Sequence, residues 1–91
     1  MAEIEVLRTG DERFQVIVHD DDGETRHDVT VPIADVERLG SAYDSVEEFV
    51  RASFAFLLER EPKGSILREF DIGDISRYFP EFESEILSGD R

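Results

Sequence analysis

His19 and His27 are the side chains of this 91-residue chain best suited to move a proton near neutral pH. A catalytic histidine needs an oriented nucleophile within hydrogen-bond reach. The serines, at 41, 45, 53, 65, 76, 84 and 88, sit in no nucleophile-elbow or related motif. Both histidines also fall on strand-like stretches whose inferred register puts them on opposite faces of one hairpin, so they cannot share a metal ion. The expectation is that neither is catalytic, with His19 exposed beside Arg26 and His27 at the margin of the core.

The run Asp20-Asp21-Asp22-Gly23-Glu24 offers oxygen ligands for a hard cation. An EF-hand loop, however, needs acids at alternate positions and a glutamate at its twelfth, whereas here Gly23 follows Asp22 at once and the twelfth position from Asp20 is Val31. The run reads as a turn, and no metal or cofactor is expected. Carboxylate pairs for acid–base work can be drawn almost at will from 23 acids, so they single nothing out. The glycines are isolated, which leaves no phosphate-cradling loop. The most distinctive stretch is Tyr78-Phe79-Pro80-Glu81-Phe82. Phe79, Pro80 and Phe82, rimmed by Glu81, Glu83 and Glu85, form the candidate partner-binding set, because aromatic anchors supply desolvated contact and acids steer a basic partner. The competing reading is that Phe79 and Phe82 turn inward and seal the core.

Charge sets the class of partner. With 23 acids against nine arginines and the lone Lys63, the net charge is -13. Nucleic-acid affinity depends on basic residues neutralising phosphates, so direct nucleic-acid binding is not expected. Anionic membrane surfaces are disfavoured for the same reason. The acidity fits a solvated surface, adaptation to a salt-rich (halophilic) cytoplasm, or a face that docks a basic protein such as a toxin or a nucleic-acid-binding protein; composition does not separate the three. The chain has no cysteine, hence no disulfide or thiolate chemistry. No run of about 18 apolar residues suits a membrane span, and Met-Ala-Glu-Ile-Glu lacks the regions of a signal peptide. A cytoplasmic location is therefore expected.

The elements that must position these residues follow from periodicity. Residues 3 to 31 read as three strands, with alternation around Ile4 and Val6, then 13 to 19, then 25 to 31. Asp22-Gly23 predicts a two-residue type I′ hairpin turn, in which Phe14 faces Val31, Val16 faces Val29 and Val18 faces His27. Thr9-Gly10-Asp11 turns the first strand into the second, and Pro32 closes the third. Residues 33 to 39 form a short helix ending at Gly40 as its C′ residue. The main helix, about 45 to 60, starts at Ser45 with Glu48 completing a capping box, and ends at Glu61 before Pro62. Residues 65 to 70 fit a fourth strand or a helical turn. Asp71 caps a short helix, Pro80 starts a final one holding Phe82 and Ile86, and 88 to 91 form a tail.

The stretch Ser53 to Pro62, then Ser65-Ile66-Leu67 with Phe70-Asp71, and Arg77-Tyr78-Phe79-Pro80-Glu81-Phe82-Glu83 resembles a group of short uncharacterised prokaryotic proteins, as does Thr30-Val31 before Pro32. That likeness implies no activity. More loosely, three strands, a helix and a possible fourth strand are similar in order to HicB-type antitoxins. The expectation is one α+β domain over residues 1 to 91, a three-stranded antiparallel sheet packed on one main helix with short C-terminal helices. Its expected function is non-catalytic protein–protein interaction or regulation, antitoxin-like, with a basic protein as partner. The alternative is a small-molecule or cation-binding regulatory domain.

Overall fold

The structure, a computed structural model, describes residues 2–88. Three strands, β1 (Glu3–Arg8), β2 (Arg13–Asp20) and β3 (Gly23–Thr30), form an antiparallel meander. The chain then runs through helix α1 (Ile33–Leu39) and helix α2 (Val46–Leu58) before returning as β4 (Glu69–Asp71). β4 lies parallel to β3, giving a four-stranded sheet in the order β1-β2-β3-β4. Helices α3 (Ile75–Tyr78) and α4 (Phe82–Ser88) complete the described chain. The fold is α+β with α2 as its main helix and α1, α3 and α4 as short ones. The sheet has four strands, not the three expected, because β4 adds a parallel edge beside β3. Most of the tail expected at 88–91 lies outside the described residues, and Ser88 belongs to α4.

Strand parity follows the alternation. Phe14, Val16 and Val18 of β2 and His27 and Val29 of β3 are buried on the helix-covered face, packed with Phe49, Val50, Phe54, Phe56 and Leu57 of α2. The register differs from the expected one by two residues: Phe14 faces Val29, Val16 faces His27 and Val18 faces Thr25. Asp21 and Asp22 are the turn residues, because Asp20 pairs with Gly23. Among the described residues no non-glycine has positive φ, so the turn is not type I′; Gly23 alone does, at φ 127°. A slip of two keeps every side chain on its face, which is why the apolar pattern did not reveal it.

The Ser45 hydroxyl accepts from the Glu48 N–H at 3.1 Å and so caps α2. Glu48 does not reach back to complete the box; its carboxylate pairs with Arg51. Gly40 has φ −87° and leads into a 3-10 turn instead of a left-handed cap. The 65–70 ambiguity resolves into a 3-10 turn at Lys63–Ser65, an extended connector and then β4. The Asp71 side chain and Asp74 form a reciprocal capping box ahead of α3.

Candidate functional site

Helix α2 brings Leu57 and Glu61 to one side, since the Glu61 N–H still bonds the Leu57 carbonyl at 2.9 Å and residues four apart share a face. Ile66, Leu67 and Phe70 approach from the connector and β4. Ile75, Tyr78 and Phe79 approach from the last turns before Pro80. Between them lies a cleft of about 360 Å³, apolar over most of its lining. Among the described residues its charged members are two carboxylates, Glu61 and Asp74. Leu67 and Tyr78 are 54% and 70% exposed, large apolar groups left in solvent at the cleft.

The connector wall is held from the sheet. His27 Nδ1–H donates to the Leu67 carbonyl at 2.8 Å, because a carbonyl can only accept. In the neutral ring Nε2 then accepts from the Thr25 hydroxyl, also at 2.8 Å. His27 is 1% exposed and packs on Phe54 with ring centroids 5.4 Å apart. It belongs to the core, not to its margin, and burial holds its pKa below the ordinary value, against the pull of the Leu67 carbonyl. Lys63 Nζ, 2.7 Å from Asp20 Oδ1, ties the start of the connector to the β2–β3 turn.

The aromatic-proline stretch divides. Phe79 lines the cleft, half-buried and edge-on to Phe56 at 5.9 Å. Pro80 is exposed in the turn before α4. Phe82 is fully buried, 5.1 Å from Phe56, and presents no surface to a partner. The three acids beside it face intramolecular cations. Arg60 lies 3.6 Å over the Phe56 ring and bonds Glu81 at 3.0 Å and Glu85 at 2.7 Å. Glu83 pairs with Arg38 at 2.8 Å, and that bond holds its carboxyl below the usual range. These acids lock α4 onto α1 and α2; the candidate surface shifts instead to Phe79 with Leu67 and Tyr78.

His19 sits on the open face of the sheet, opposite Glu24 and not Arg26. Its Nε2 is 2.9 Å from Glu5 and its Nδ1 3.3 Å from Glu24. Only the doubly protonated ring can donate to both, and the Glu5 hydrogen bond foremost raises its pKa. Among the described residues no group of three or more histidines and carboxylates is placed to hold a metal ion, and no helix is long and apolar enough to cross a membrane.

Comparison with protein-family models, curated proteins and solved structures finds no match. The cleft therefore stands on its own geometry. Sequence reasoning missed Glu61, Leu67 and Asp74 as site residues. The only signal available was that Leu57–Glu61 and Asp74–Tyr78 each put a carboxylate and an apolar residue four apart on helical segments.

Proposed function

We propose that the protein is a non-catalytic binding module whose cleft receives a basic, partly apolar segment of another protein. The observation that carries this reading is the exposure of Leu67 and Tyr78 beside an apolar cleft whose charged lining, among the described residues, consists of the carboxylates Glu61 and Asp74. Such anchors contribute desolvated contact area, and a domain of net charge -13 steers a basic partner towards them. A basic toxin, the partner that the likeness to HicB-type antitoxins implies, fits this chemistry. A second reading, a small-molecule regulator, draws on the volume, since about 300–1,000 Å³ is usual for ligand pockets. A photo-reactive residue at Tyr78 tests the first: it crosslinks one basic protein in a lysate of the native cell, while the same group at Glu37, exposed on α1, does not. Equal labelling from both positions, or none from Tyr78, overturns it.

A further inference from the structure

We infer that Glu61 is the counter-ion of a cation subsite inside this cleft, one that takes the guanidinium or ammonium end of an arginine or lysine side chain from the docked partner. The inference rests on the docking reading for its natural occupant. Its basis is local. Glu61 is half-buried and, among the described residues, its carboxylate has no ion pair and no hydrogen bond, whereas most bases nearby are already engaged. It lies just beyond the C-terminus of the 13-residue α2, where the helix dipole adds partial negative charge. The same cleft is lined by the half-buried Phe70 and Phe79 and the exposed Tyr78, and aromatic rings attract cations. A carboxylate, a helix C-terminus and aromatic rings around an apolar hollow favour one ligand class: a cation carried on an apolar stem. Asp74 plays a different part, since its Oδ2 accepts the Asp71 N–H in the capping box and is committed to the fold.

The test separates charge from shape. Phenethylguanidinium and its neutral isostere phenethylurea are titrated into the isotopically labelled protein, and the amide signals of Leu67 and Tyr78 are followed. The cation binds about fivefold or more tightly than the urea, the advantage of one partly buried ion pair. Glu61→Gln brings the two to parity, with the urea affinity unchanged. Glu47→Gln, at the far end of α2, removes the same formal charge and leaves the ratio as it was. Equal affinities in the unaltered protein overturn the inference. So does an advantage that survives Glu61→Gln, or one that Glu47→Gln reduces as much, because the preference would then belong to the net charge. A cation subsite without any crosslinked partner leaves the inference standing and sinks the docking reading; a partner without cation preference does the reverse.

Discussion

At Gly23 the backbone has φ 127°, a region that side chains with a Cβ rarely adopt, and a Cβ built there would meet no neighbouring atom. The cost of substitution is therefore backbone strain alone. Gly23→Val destabilises by more than about 1 kcal/mol in chemical denaturation, and an unchanged midpoint would show that the turn relaxes freely. The need for glycine here was legible in the sequence; the turn type was not, because Asp-Gly suits both a type I′ turn and a turn with glycine one place later. The histidines make the other residue-scale prediction. Burial lowers the His27 pKa from 6.5, so the unfolded chain takes up a proton that the native chain resists. Its contribution to stability is complete above 6.5 and is lost as pH falls from there through the lowered native value. The Glu5 carboxylate raises the His19 pKa from the same 6.5, so its contribution is complete below 6.5 and is lost as pH rises through the raised value. Ring-proton NMR titration places His27 below 6.5 and His19 above it; the opposite order would remove both assignments.

Among the elements, the alternation of β1 to β3 and the capped α2 were readable because each repeats a local period over six or more residues. β4 was not. It has three residues, and its pairing with β3 depends on contacts some 40 positions apart, such as Asp28 N–H to Arg68 carbonyl at 2.7 Å. The cleft escaped for the same reason, since its walls come from three separate stretches and Glu61 read only as the residue that ends a helix before Pro62. The Tyr-Phe-Pro-Glu-Phe motif drew attention correctly, but a linear motif cannot say which aromatic turns inward. Phe82 does, edge-on to Phe56 and fully buried. Phe82→Ala accordingly costs about 3–5 kcal/mol, enough to unfold a marginal domain. The exposed pair behaves otherwise: Tyr78→Ser leaves the thermal midpoint nearly unchanged. Equal losses at the two positions would mean that the wall at Tyr78 is part of the core.

Across the whole molecule, charge is distributed unevenly between paired and unpaired groups. Arg13, Arg26, Arg38, Arg51, Arg60 and Lys63 each hold a carboxylate within 4.0 Å, so the basic charge is largely spent inside local networks. What remains is a surplus of acids with no such partner among the described residues, including exposed Asp21, Asp22 and Glu37. Like charges spread over a body with extents of 34 × 27 × 23 Å lie within a few screening lengths of one another, because the Debye length is about 10 Å at 0.1 M salt and about 3 Å at 1 M. Self-repulsion thus opposes folding at low ionic strength and fades as salt rises. The melting temperature therefore climbs as potassium chloride increases from about 0.05 M to 1 M. Screening also predicts how substitutions alter that climb. Asp21→Asn, Asp22→Asn and Glu37→Gln together raise the melting temperature in low salt and narrow the gap between low and high salt, since less repulsion is left to screen. A salt increment that is the same in the triple variant would assign the effect to strengthened apolar burial, which salt also promotes and which these three exposed carboxylates do not touch.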